Sequence, residues 1–202
     1  MKRLELLGVE GIGEIHAGAS LGQRICKACL DQGIELFDDD VLVVAQKIVS
    51  KAEGRTVCLD DVQVSARAQH LGCELDKEAA LVEVILGESR KVIRTGGRAL
   101  IVETHHGFVC ANAGVDASNA PEGTVILLPE DPDRSACSLH ACLEDALGFP
   151  LGVIISDTFG RPWRQGLTNV ALSPGGVRLV SSVGSLGLPP QLSQPNWPGW
   201  VT

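Results

Sequence analysis

The sequence predicts a globular fold that mixes helices and strands, on three observations. Apolar, β-branched runs recur between turn residues, at 41–50, 99–103, 124–128 and 151–156. Stretches bounded by helix caps and breakers lie between them, at 66–71, 77–86 and 132–147. The 202 residues are 45% hydrophobic, which suits one large domain or two small ones.

Each element has its own justification. Cys26 and Cys29 form a lone CxxC; a zinc site would want a second pair, so they read as two thiols on a helix. VLVVAQKIVS, Val41 to Ser50, reads as a buried strand between a turn at Asp38-Asp39-Asp40 and a second turn, KAEGR, broken by Gly54. Ser65 suits the cap of the first helix, Gly72 the turn after it, and Asp76 the cap of the second. Ala99 to Glu103 is a strand that turns at Thr104-His105-His106-Gly107 and returns along Phe108 to Ala111. After the strand Thr124 to Leu128, Asp131 caps a helix and Pro132 opens it; Gly148 and Pro150 stop it. Leu151 to Ser156 is a further buried strand, ending in DTFGRPWRQG. From Ser173 the chain is rich in Gly, Pro and Ser and has no acidic residue; Val177 to Val183 is its one strand candidate. The expected division is a domain over 1–172 and an atypical tail over 173–202.

Composition excludes several functions. A net charge of -8 argues against nucleic acid as a partner, and 3% aromatics without tyrosine leaves no base-stacking platform. No apolar run approaches the ~20 residues that span a bilayer, and no signal-peptide core follows the first basic residues. Seven scattered cysteines read as reduced thiols, hence a cytoplasmic protein. There is no GxGxxG and no Walker lysine motif.

One stretch poses a question of chemistry. VCANAGVDASNAPEGTVILLPEDPD, Val109 to Asp133, crowds Asn112, Gly114, Asp116, Ser118, Asn119, Pro121 and Gly123 between two apolar runs. Asp116 and Asp157 both follow strands, and Thr158 adds a hydroxyl. Magnesium typically takes one or two carboxylates plus substrate phosphates, so these three could form a half-site; equally, both aspartates could cap turns. Lys51, Arg161 and Arg164 are candidate phosphate partners or solvated cations. His105 and His106 read as exposed turn residues, and Cys110 as core rather than nucleophile.

The segments VLVVAQKIVSKAEGR, ESRKVIR, LIVETHHGFVCANAGVDASN, LLPEDPDRSA and VIISDTFGRPWRQG together resemble the coenzyme F420-0:γ-glutamyl ligase family, over about Gly8 to Leu172. The resemblance implies an α+β fold with mixed sheets and flanking helices, as a homodimer. It implies an enzyme that adds L-glutamate to the coenzyme F420 precursor through an acyl phosphate, with GTP as co-substrate. Metal ligands then fall on Asp116, Asp157 and Thr158, holding Mg²⁺ or Mn²⁺, with K⁺ as a further candidate ion. Nucleotide contacts fall on Gly11, Ile12, Gly13, Glu14, Gln46, Lys47, Lys51 and Asn119. No catalytic side chain is assigned.

Two departures stand out. Gly13 takes the place of a common proline. The family continues past DTFGRPWRQGLTNVA with an acid-rich helix, a further metal ligand and a nucleotide segment, whereas this tail matches none of these and reads as a frameshift or truncation. Two function classes follow: an active ligase, or a non-catalytic remnant that binds nucleotide or deazaflavin. The expectation is residual nucleotide binding with little turnover.

Overall fold

The computed structural model describes residues 4–97, 99–160 and 167–176. The fold is α+β. The first half runs α1 (Leu21–Asp31), β1 (Val41–Ala45), α2 (Gln46–Ala52), β2 (Thr56–Cys58), α3 (Ala66–Leu75) and α4 (Ala79–Gly87). A meander follows, of β3 (Ser89–Gly96), β4 (Ala99–Thr104) and β5 (Val109–Ala111). Then come β6 (Thr124–Ile126), α5 (Pro132–Leu147), β7 (Gly152–Gly160) and β8 (Leu167–Gly175).

The described strands form three small sheets, ordered β1-β7-β8, β2-β6 and β3-β4-β5. β1 runs parallel to β7, from Val41 opposite Gly152 to Ala45 opposite Ser156. All the other pairings are antiparallel, so the first sheet is mixed. Its core joins Ile25 and Cys29 of α1, Leu139 and Leu143 of α5, and Val44, Val153 and Ile155 of the parallel pair. A second cluster packs Ala68, Leu75, Val82 and Ile85 of the α3–α4 pair on Leu100 and Val102 of β4. Full burial of each large aliphatic side chain contributes about 1.5–3 kcal/mol.

Helix ends follow their cap chemistry. The Asp131 carboxylate accepts from the Arg134 N–H at 3.0 Å, Pro132 opens α5, and Gly148 closes it at φ 80°. Ser65 accepts from the Ala68 N–H at 3.2 Å at the start of α3. Cys26 and Cys29 both lie on α1, and all seven cysteines are free.

Four expectations need correction. The run 41–50 is not one strand: the parallel pairing ends at Ala45, and the chain coils at once into α2. Gln46 turns inward there and donates to the Leu127 carbonyl, while Val49 goes to the core as part of a helix face. Gly72 is not a turn but an interior position of α3, where a Cβ would meet the Lys77 carbonyl oxygen at 2.9 Å. Asp76 does not open α4; it ends α3 in the left-handed region, at φ 50°. Finally, the strand expected at 151–156 runs on to Gly160, so Asp157 lies inside β7 rather than after it, and β8 crosses Leu172 to end at Gly175. The candidate strand at 177–183 and the rest of the tail lie outside the described residues.

Candidate functional site

The site grows from the carboxyl end of β1 and from the stretch of β7 just beyond its parallel pairing with β1, near where open sheets commonly place ligands. Beyond Ala45 the chain becomes α2; beyond Ser156, the partner of Ala45, comes Asp157. Lys47 and Lys51 are spaced i, i+4 on α2 and so share a face. Two loops flank that face.

On one side is the turn Gly11 to Glu14. Lys51 donates to Glu14 Oε1 at 2.6 Å, and its side chain is only 13% exposed. That low exposure argues against a merely solvated lysine. The Lys51 ammonium holds the Glu14 carboxyl below the usual glutamate value. Gly11 and Gly13 have φ of 71° and 77°, in the left-handed region. A proline cannot adopt that φ, so this turn differs from any that a proline at position 13 would set. Arg24 braces the turn by donating to the Ile12 and Glu14 carbonyls at 3.4 and 3.3 Å.

On the other side is the loop Asp116 to Asn119. Three consecutive left-handed residues, Asn112, Ala113 and Gly114, lead into it. The isolated bridge between Asp116 and Ile126 then fixes its start. Asp116 Oδ1 accepts from the Ser118 N–H at 2.7 Å, and Oδ2 accepts from the Ser118 hydroxyl at 2.8 Å. Lys47 reaches across from α2, with Nζ 2.5 Å from Asp116 Oδ2, 2.5 Å from Ser118 Oγ and 3.3 Å from Asn119 Oδ1.

Asp116 and Asp157 face the same pocket, of about 150 Å³, lined also by Cys110, Ala111, Gly114, Val115 and Thr158. Their electrostatics diverge. Burial works against ionisation of Asp116, but hydrogen bonds from Lys47 and Ser118 outweigh it and hold the carboxyl below the usual aspartate value. Burial pushes Asp157 up; the Thr158 N–H and the Lys47 charge oppose this, and the Asp116 charge adds to it. The Cys110 thiol is pushed up to about 11, mainly by burial, which keeps it a protonated core thiol. Thr158 donates to Asn169 Oδ1 at 2.7 Å.

The donors facing the pocket are thus carboxylate and hydroxyl oxygens, a set that suits a hard divalent cation rather than a soft one. Among the described residues no three His, Cys, Asp or Glu side chains converge as a metal cage. Water and phosphate oxygens would have to complete the shell of any ion held here.

The structure therefore gathers Glu14, Lys47, Lys51, Asp116, Ser118, Asn119, Asp157 and Thr158 around one helix face and its pocket. It turns Gln46 away: that residue is 2% exposed and its amide donates to Ser50 Oγ and the Leu127 carbonyl, at 2.6 and 2.8 Å. His105 is exposed, whereas His106 is half-buried and donates from Nε2 to the Pro129 and Glu130 carbonyls. Arg161 and Arg164 lie outside the described residues. Three residues of this neighbourhood had no assigned part in the sequence reading: Arg24, Ser118 as a ligand of Lys47, and Asn169. Arg24 and Asn169 act through folding contacts that no local pattern announces.

The family model of F420-0:gamma-glutamyl ligase matches residues 11–188. The chain belongs to this family. The coenzyme F420:L-glutamate ligase of Methanothermobacter thermautotrophicus is 44% identical over 174 residues, which is 86% of this chain and 69% of that protein. The protein of the same name from Methanopyrus kandleri is 44% identical over 168 residues, 83% of this chain and 65% of its own. That from Archaeoglobus fulgidus is 39% identical over 178 residues, 88% of this chain and 69% of its own. The chain spans about two thirds of the length of these relatives. The family match also runs past Leu172, to residue 188. No helix among the described residues is long and apolar enough to cross a membrane.

Proposed function

We propose that this chain carries the ligase chemistry named for its relatives: GTP-dependent addition of L-glutamate to a coenzyme F420 precursor. The reaction has two steps. An oxygen of the precursor's lactyl carboxylate attacks the γ-phosphorus of GTP, and GDP leaves. The glutamate amine nitrogen then attacks the acyl carbon of the resulting acyl phosphate; inorganic phosphate leaves and the amine sheds a proton. The protein's task in such a transfer is positioning and charge stabilisation.

Asp116, Asp157 and Thr158 would hold Mg²⁺ or Mn²⁺. Divalent cations neutralise charge on a transferring phosphoryl group. Lys51, shielded from solvent on α2, offsets phosphate charge. The turn Gly11 to Glu14 and Asn119 contact the guanine nucleotide from the two flanks. Gln46 serves this site indirectly, by fixing α2. The working unit is a cytoplasmic homodimer.

What supports this reading above all is the meeting of Glu14, Lys51, Lys47, Asp116 and Asn119, from three separate segments, along one face of α2. The decisive assay combines GTP, Mn²⁺, L-glutamate and precursor, and follows the glutamylated product and GDP by mass spectrometry. Slow wild-type turnover that is abolished in Asp116→Asn and Asp157→Asn is the expected result. Nucleotide binding without product would favour a binding module, and absence of both metal and nucleotide binding would remove the reading altogether. Stronger thermal protection by GDP than by ADP is expected for the base preference.

A further inference from the structure

We propose that Lys47 is a resident counter-cation: its ammonium takes the cation position on Asp116 and must leave that carboxylate before a divalent ion can bind. The proposal rests on the metal reading of Asp116 and Asp157 given above.

The geometry around Nζ is that of a cation in an oxygen cage. An ammonium has three N–H donors and no acceptor. Asp116 Oδ2 at 2.5 Å, Ser118 Oγ at 2.5 Å and Asn119 Oδ1 at 3.3 Å match all three. The carboxylate has little room left. Oδ1 accepts from the Ser118 N–H, and Oδ2 accepts from both the Ser118 hydroxyl and Lys47. A metal on Oδ2 therefore displaces the lysine.

The lysine is built to move. Its backbone sits in the first turn of α2, beside the buried and doubly bonded Gln46. Its four-carbon stem is flexible, and its side chain is 30% exposed. One turn further on, Lys51 is held in the same way on Glu14. Two ammoniums on one helix face repel, so each rests on its own flanking carboxylate. A polyphosphate lying between them offers both a new acceptor. Cation and phosphate binding are then coupled: the ion releases Lys47 from Asp116, and the phosphate receives it.

The test is Mn²⁺ titration of the full chain without nucleotide, by calorimetry and by electron paramagnetic resonance. It compares wild type with Lys47→Met, Lys47→Arg and Asp116→Asn, with circular dichroism confirming folding. Lys47→Met should bind Mn²⁺ about fivefold more tightly, the equivalent of removing a competing, partly exposed ion pair. Lys47→Arg keeps the charge and should stay near wild type, while Asp116→Asn should lose binding. If Lys47→Met binds no better than wild type while Asp116→Asn loses the ion, the counter-cation role is overturned and the metal site stands. If neither wild type nor Lys47→Met binds Mn²⁺, both readings fail together.

Discussion

Replacing Gln46 by leucine separates a structural role from a ligand-binding one. The glutamine is 2% exposed, and its Nε2 donates to the Leu127 carbonyl at 2.8 Å and to Ser50 Oγ at 2.6 Å. Leucine keeps most of the volume and removes both donations. The Ser50 hydroxyl can rotate towards a carbonyl one helical turn back, so its loss is small. The Leu127 carbonyl is fixed in place, because its residue is tied to Arg55 through the Leu127 N–H at 2.9 Å. A buried acceptor left without a partner costs about 1–3 kcal/mol. In a chain of this size that lowers the thermal midpoint by roughly 2–12 °C. The assay is a thermal scan with and without GDP, with nucleotide affinity measured well below the new midpoint. The expected result is a lower midpoint with affinity changed less than about twofold, since the amide does not face the pocket. An unchanged midpoint with lost affinity would show that the amide serves the ligand after all, and that the contact to Leu127 contributes nothing.

Three further outcomes follow from named contacts. Asp157→Asn should stabilise the cation-free protein at neutral pH. The folded carboxyl titrates above the usual aspartate value, so in that window the fold binds more protons than the unfolded chain, and wild-type stability falls as pH rises through it. Urea midpoints across pH should show the gain fading below the usual aspartate value; a gain of equal size there would refute charge burial as its cause. Cys110, buried and pushed up to about 11, should resist iodoacetamide at pH 8 while the exposed Cys58, Cys73 and Cys137 are alkylated. Labelling of Cys110 at the rate of the exposed thiols would count against its place in the core. Gly114→Ala should cost about 1–3 kcal/mol, because φ is 71° and an added Cβ would lie 3.0 Å from Leu128 side-chain carbons. A urea midpoint equal to wild type would mean the loop relaxes freely.

What could be read from the sequence was what local chemistry writes. Asp131, Pro132 and Gly148 spell out both ends of α5 and need no tertiary partner to do so. The return at 104–107 is equally local: Gly107 has φ 85°, and its N–H donates to the Thr104 carbonyl at 2.9 Å. The division of 41–50 was not legible. Ile48 and Val49 are as compatible with a strand as with a helix, and the switch at Gln46 depends on where β1 stops pairing with β7 and on a carbonyl in β6's continuation. Gly72 misled because glycine marks both turns and close packing, and only the Lys77 backbone above it decides between them. Irregular register hid β3: shifts between Ser89 and Lys91 and between Val92 and Arg94 break the two-residue alternation. α1 did carry a signal, since Leu21, Ile25, Ala28 and Cys29 recur on one helical face. At the site, the aspartates and lysines were legible as residue types. Their pairing was not, because Lys47 and Asp116 meet only through the fold.

The parallel pairing of β1 with β7 also orders events in time. Val41 must find Gly152, whereas the β3-β4-β5 meander and the α3–α4 pair close between neighbours in the chain. Non-local pairings fold slowly, because a long loop must be closed before any contact rewards it. On a ribosome the meander can be complete while β1 still lacks its partner. Until β7 is synthesised, β1 exposes an unpaired edge carrying Val41 and Val43, which remain exposed even in the finished fold. The pocket between Asp116 and Asp157 has no second wall before that moment. The nascent chain is therefore most open to mispairing during the stretch of synthesis that precedes the assembly of its chemistry.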